Sequence, residues 1–268
     1  MHTLLSYLFP WRYAGLIRQF VKREFDARYR QSLLGITWAF LTPLLMLGVY
    51  TFVFRFVFKL RWSGSGDESD LAFALRLYAG LAVFNFFAEC VVRAPRLILE
   101  QPQLVKKVIF PLEILPWVSA LAGLTHLAVA LLLMLALGAW EQGGLPITLV
   151  ALPVVWLPLL PLCVGLGWLL AAIGTYVRDV GQVVGMMVSL LMFLSPIFFP
   201  AEAIPPAVRP WLFLNPLALT ITQTRQVILD GQWPDWSAYI IHLIACCAIS
   251  ILGAVFFKAA RKGFADVV

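Results

Sequence analysis

Charge is scarce in this chain. Only 13% of its 268 residues are Asp, Glu, Lys or Arg, while 62% are apolar. Several signatures of catalysis are missing as well. No GxxxxGK[ST] loop is present, so the chain cannot hold ATP in the P-loop manner. There is no HExxH motif and no GxSxG elbow. The three histidines, His2, His126 and His242, are scattered. The four cysteines, Cys90, Cys163, Cys246 and Cys247, lie in apolar runs without CxxC spacing, which suits small buried hydrophobes. No catalytic residue, no metal site and no cofactor of its own are therefore expected. The net charge of +6 comes without an aromatic-basic module, so no nucleic-acid partner is expected. Internal repeats, mid-span ionisable groups and a selectivity-filter motif are also lacking, which argues against a secondary transporter or a channel. The N-terminus does not read as a signal peptide, because Pro10 and Arg12 interrupt its first apolar stretch.

What is abundant is long apolar sequence. About 20 apolar residues cross roughly 30 Å of hydrocarbon. Runs near 33–58, 72–92, 112–137, 147–173, 182–199 and 237–257 meet or approach that length. The expected fold is an all-α polytopic membrane protein with six transmembrane helices. The first run contains Pro43, and the fourth carries Pro153, Pro158 and Pro161 in its first half. Each proline removes a helical hydrogen bond and demands local rearrangement.

Residues 1–32 are expected to form a separate amphipathic element. Arg12, Arg18, Lys22, Arg23, Arg28 and Arg30 alternate with apolar residues at near-helical spacing. Such a helix lies in the membrane interface with its apolar side down; a basic flank that only sets topology is the plainer alternative. The remaining residues, 33–268, make one transmembrane domain. The second run holds Glu89, which either faces protein or water within the bilayer or sits at its interfacial end. The 93–111 connection contains Arg93, Arg96, Glu100, Lys106 and Lys107, with Pro95, Pro102 and Pro111 as breaks, and predicts a short helix over 96–101. The 200–236 stretch holds six prolines among apolar patches. Two short helices that dip into the membrane and return fit it.

Fourteen Lys and Arg fall on the terminal segments and the connections sharing their side, and six on the opposite connections. The positive-inside rule then places both termini in the cytoplasm. Aromatics gather towards the ends of the first two runs, including Phe54, Phe84 and Phe87. They form an interfacial belt with lipid-facing bulk, or line a path in which rings stack on sugars.

The order of several stretches resembles the membrane subunits of ABC-2-type polysaccharide exporters, closest to O-antigen and teichoic acid export permeases. The stretches are Arg23-Glu24-Phe25, Arg28-Tyr29-Arg30-Gln31-Ser32-Leu33-Leu34-Gly35, Trp38-Ala39 and Thr42-Pro43. Lys106-Lys107-Val108-Ile109-Phe110-Pro111, Ser195-Pro196-Ile197-Phe198 and Asn215-Pro216-Leu217 follow in order. The resemblance implies a homodimer paired with two copies of a separate ABC ATPase that binds ATP and Mg. It implies a bacterial inner-membrane location and export of lipid-linked polysaccharide, for example on undecaprenyl pyrophosphate. By the same resemblance Arg23, Arg28, Tyr29 and Arg30 would meet the lipid headgroup. A coupling helix near 95–102 would dock in the ATPase through Arg96, Leu97, Glu100 and Gln101. Re-entrant helices within 201–230, with Trp211, Asn215 and Pro216, would form an outer gate with Phe54, Phe84 and Phe87 along the channel. An exporter of capsule or teichoic acid polymer, of small amphiphiles or of lipids is the competing transport reading, and a membrane scaffold the non-transport one.

Overall fold

The structure is a computed structural model that describes residues 4–29, 35–60, 62, 69–105, 110–200, 212 and 215–267, with backbone alone at 4, 5, 28, 29 and 36. Every regular element among the described residues is helical. In chain order these are α1 (Leu4–Leu8), α2 (Ala14–Tyr29), α3 (Trp38–Thr51), α4 (Asp70–Arg93), α5 (Pro102–Val105), α6 (Leu115–Gln142), α7 (Leu152–Trp156), α8 (Leu159–Tyr176), α9 (Val180–Leu194), α10 (Ala218–Ile228), α11 (Trp236–Ala260) and α12 (Phe264–Val267).

Local chemistry sets the helix ends. The Ser69 hydroxyl accepts from the Ala72 amide at 2.9 Å and caps α4, with Asp70 in its first turn and Arg93 in its last, as the helix dipole favours. Asp235 caps α11 by accepting from the Ser237 and Ala238 amides at 3.0 and 3.2 Å. Gly143 ends α6 in the left-handed region, at φ +69°, where a side chain would be strained. The prolines of the fourth apolar run break it as their chemistry requires. It begins as a 3-10 turn over Ile147–Ala151, continues as α7, and restarts as α8 after Pro158.

Among the described residues, five helical stretches are long and apolar enough to cross a membrane: Trp38–Val57, Asp70–Arg96, Leu112–Gln142, Ile147–Tyr176 and Trp236–Val267. The fifth expected span, 182–199, differs. Its helix, α9, has 15 residues, about 22 Å at 1.5 Å per residue, shorter than the hydrocarbon layer. Ser195 and Pro196 stop it, and the chain turns back through Ile197 and Phe198, both buried.

α4 forms the hub of the bundle. Fifteen of its residues are buried, among them Phe73, Leu77, Tyr78, Phe84, Phe86 and Phe87, and α3, α6, α8, α9 and α10 surround it. α8 and α11 cross almost backbone to backbone: a Cβ on Gly165 would stand 2.5 Å from the Ser250 Cα, and one on Gly253 would stand 2.8 Å from the Gly165 carbonyl carbon. Small residues at such a crossing gain close van der Waals packing where lipid offers no hydrophobic drive.

The N-terminal segment is not one continuous helix. α1 is followed by a 3-10 turn over Trp11–Tyr13 and then by α2. The apolar side of α2 is occupied by protein: Ile17 is buried against Ile114 and Val118 at the start of α6, with Phe20 and Trp117 packed around them. Arg12, Arg18, Lys22 and Arg23 stay exposed. α1 is a small plug. Its Tyr7 is 1% exposed and meets Trp168 and Phe257 edge-on at 6.1 and 6.4 Å.

Candidate functional site

Two adjoining cavities sit where α2, α3, α4 and α6 meet, and Glu89 and His126 line both. One, of about 220 Å³, runs between α3, α4 and α6 and is bordered by Thr42, Pro43, Tyr50, Tyr78, Asn85 and Phe86. The other, of about 320 Å³, opens beneath α2 and is bordered by Glu24, Phe25, Ala27, Arg93 and Thr125. At their junction His126 Nδ1 lies 3.1 Å from Glu89 Oε2, an ion pair when the imidazole is protonated. Glu89 therefore faces His126 and the two cavities. His126 lies 37 residues away on α6, and no spacing rule links the two in sequence.

Arg93 ties this region to the loop that follows α4. Its Nη1 donates to Glu24 Oε2 of α2 at 2.7 Å, and its Nε lies 3.9 Å from Glu100 Oε2. The segment expected to be one helix over 96–101 is instead a 3-10 turn over Ala94–Arg96, further turns over 97–100, and α5. The Glu100 amide donates to the Arg96 carbonyl at 2.9 Å, and the Gln101 amide to the Ile98 carbonyl at 3.1 Å. Arg96 and Glu100 are exposed and Gln101 half-buried, whereas Leu97 and Ile98 turn into the core. Leu97 thus anchors the segment from within, and its polar neighbours provide the outward surface. The root of the segment rests on α8, where Gly174 lies against the Pro95 backbone.

Of the candidate headgroup residues, Arg23 is exposed on α2, with its guanidinium 4.4 Å above the Phe20 ring. Arg28 and Tyr29 close α2, but their side chains, and Arg30 entirely, lie outside the described residues. Phe84 and Phe87 are packed within the core rather than along an open surface, because α4 is the hub. Phe54 is half-buried and stacks on Phe198 at 4.5 Å.

The stretch expected to hold the second returning helix contains α10; the first, and Trp211 with it, lie outside the described residues. Asn215, preceding Pro216, fixes the approach to α10. Its Nδ2 donates to Ser195 Oγ at 2.8 Å, and its Oδ1 accepts from the Leu217 amide at 2.9 Å. α10 buries Thr220, Gln223, Thr224 and Arg225. Arg225 was not singled out from the sequence. Its guanidinium donates to the Arg76, Pro196 and Ile197 carbonyls and sits 4.2 Å over the Trp62 ring. The polar content of this 11-residue helix is the signal that was available: polar groups at membrane depth must face protein.

Glu113 is fully buried and accepts from Arg261 Nη1 at 2.7 Å, while Arg261 Nη2 donates to the Phe110 carbonyl at 3.1 Å. Burial raises the Tyr7 hydroxyl above its usual pKa, opposed by its hydrogen bond with Arg261.

Residues 15–229 match the model of a family described as ABC-2 type transporter. Over 96% of this chain and 97% of the relative, the sequence is 30% identical to an O-antigen export system permease protein RfbA of Myxococcus xanthus. A protein of the same name from Klebsiella pneumoniae is 22% identical over 98% of this chain and 97% of its own. A polysialic acid transport protein KpsM of Escherichia coli is 26% identical over 78% of this chain and 79% of its own.

Proposed function

Because the chain belongs to the ABC-2 type transporter family, we propose that it is the membrane permease of an ATP-driven exporter of O-antigen-like polysaccharide. The full-length similarity to an O-antigen export permease carries this reading. Relatives named for polysialic acid transport match over a smaller share of the chain, about four-fifths, so a capsule-type polymer is the second choice. On this reading two copies of the chain pair with two ABC ATPase subunits in a bacterial inner membrane, with both termini cytoplasmic. ATP and Mg bind the partner subunits. The cargo is a polysaccharide on a lipid carrier such as undecaprenyl pyrophosphate, and it crosses from the cytoplasmic to the outer side.

The geometry supports a mechanical route for that work. An ATPase seated on Arg96, Glu100 and Gln101 would push on a segment whose inner residues, Leu97 and Ile98, are wedged into the core. Motion there reaches α8 through the Gly174–Pro95 contact and α2 through Arg93 and Glu24. α2 borders the cavity beside Glu89, with the exposed basic side of Arg18, Lys22 and Arg23 facing away from α6. Those cations, with Arg28 and Arg30, suit an anionic headgroup, since Arg presents a rigid donor fork to phosphate oxygens. Asn215, Pro216 and α10 would hold the outer gate, with Phe54 beside it.

The deciding experiment is reconstitution with the candidate ATPase and measurement of ATP turnover. Stimulation by lipid-linked polysaccharide, absent with simple lipids or drugs, is expected. Stimulation by small amphiphiles alone would replace this reading with a general lipid or drug exporter.

A further inference from the structure

Asn85 is exposed on α4 although its neighbours Phe84 and Phe86 are buried. It lies eight residues before Arg93, about 12 Å along the helix by its rise per residue. A polar side chain at that depth in a spanning helix faces protein or a wet cavity, and here it borders the 220 Å³ cavity between α3, α4 and α6. Tyr78, two helical turns away, borders the same cavity. Its side chain is nearly all buried, at 4% exposure, and its hydroxyl has no hydrogen-bond partner among the described residues. Burying a hydroxyl without a partner costs about 1–3 kcal/mol, so a small rotation of the ring that turns the hydroxyl into the cavity would let a bound partner remove that penalty.

We infer that this cavity is a binding subsite for one neutral sugar ring, engaged by Tyr78, Asn85 and Glu89. The inference rests on the polysaccharide-export reading and adds a place where a single protomer recognises the carbohydrate rather than its lipid or phosphate. Three observations select that ligand class. The donors and acceptors are mixed: a phenol, a primary amide, the Thr42 hydroxyl and a carboxylate that accepts from vicinal hydroxyls. The apolar lining includes the half-buried Tyr50, whose ring suits the C–H face of a pyranose. The charge is wrong for phosphate. Glu89 lines this cavity and Glu24 the adjoining one, where Arg93 is already bonded to Glu24. At about 220 Å³ the space falls below the roughly 300–1,000 Å³ of drug-sized pockets, so it admits one ring rather than an oligomer. The adjoining cavity beneath α2 links the subsite to the helix whose basic side is proposed for the headgroup, where the carrier-proximal sugar would lie.

The test uses the full permease–ATPase complex and two photoreactive probes of equal chain length, an alkyl glycoside and an alkyl polyoxyethylene ether. Labelled peptides are mapped by mass spectrometry. The glycoside should label residues 78–89 and 42–50, and the ether should not. Asn85→Leu and Tyr78→Phe should each cut glycoside labelling about tenfold, the scale of one lost hydrogen bond, while Ser189→Ala on α9 leaves it unchanged. Equal labelling by the ether, or labelling indifferent to Asn85→Leu in a complex of unchanged melting temperature, would overturn the subsite. ATP turnover with lipid-linked polysaccharide is measured on the same samples. Specific glycoside labelling without polysaccharide stimulation would keep the subsite and reject the export reading. Stimulation equal in wild type and Asn85→Leu, with no specific labelling, would keep export and reject the subsite.

Discussion

Gly174 lies directly against the backbone of Pro95, and a Cβ added there would stand 2.6 Å from the Pro95 Cα. The end of α8 and the root of the 93–105 segment are thus in backbone contact, with no side chain to yield between them. A shift of the segment must move α8, and α8 in turn is locked to α11 through Gly165 and Gly253.

Gly174→Val should therefore displace the coupling segment. In the proposed complex, polysaccharide-stimulated ATP turnover is expected to fall about tenfold or more, since a 1 Å misplacement far from the chemistry is enough for such losses. The melting temperature should drop by only a few degrees, because the clash lies at a helix end. Turnover equal to wild type would show that the segment does not transmit force through α8.

Gly253→Leu tests the crossing itself. Forcing apart helices in backbone contact costs on the order of 1–3 kcal/mol or more, with both helices displaced along their length. Expected is a large loss of folded protein in detergent and a lower melting temperature, much worse than Gly185→Leu on α9, where an added Cβ meets nothing within 4 Å. Similar losses for the two would remove any special role for the α8–α11 contact.

The link between α2 and the coupling segment is electrostatic. Arg93 bonds Glu24, which is partly shielded from water, and approaches the exposed Glu100. Arg93→Ala and Glu24→Ala should each reduce stimulated turnover, and the double variant should be no worse than the more damaging single one, the non-additivity expected of direct partners. Strict additivity of the two effects would mean that the pair acts through separate routes.

Much of this arrangement was legible in the chain. Helical class, the break at Pro158 and the polar interruption after Arg93 follow from composition and from what proline does to a helix. The length of α9 was not legible: residues 182–199 read as one apolar run, but Ser195 and Pro196 turn the chain, and hydropathy carries no information about that turn. Nor was the use of α2. An amphipathic pattern gives the apolar face but not its occupant, and here α6 takes part of the place expected for lipid. The candidate cavity was the least visible feature. Asn85 lies in an apolar run, and Glu89 meets His126 only because α4 and α6 pack side by side. Tertiary pairing of distant residues leaves no trace in a single sequence.

Arg225 gives a stability prediction. A Cβ on Gly80 would sit 2.7 Å from its Nη2, so the missing side chain of Gly80 is what admits the guanidinium between α10 and α4. Arg225→Met leaves the Arg76, Pro196 and Ile197 carbonyls without their donor, at a cost above the roughly 1–3 kcal/mol of a single buried unsatisfied group. Arg225→Lys keeps the charge but not the planar fork, and should rescue little. Thermal unfolding in detergent checks both, and a Lys variant as stable as wild type would make charge alone responsible.

Tyr7 supplies the pH dependence. Burial raises its hydroxyl above the usual value of 10.0, so folding favours the protonated phenol. A group whose folded pKa is raised contributes stability that is fully present below its unfolded pKa and is lost as pH rises through the folded one. The melting temperature should therefore fall as pH climbs past about 10, because ionising Tyr7 places a phenolate among Trp168 and Phe257. Arg261 moderates this fall through its hydrogen bond, and Glu113 opposes the anion. Tyr7→Phe removes the ionisable group while keeping the ring contacts, so its alkaline limb should be shallower even if it is less stable at pH 8. Parallel melting curves from pH 8 to 11 for the two proteins would mean that α1 is not held by the neutral phenol and that alkaline unfolding starts elsewhere.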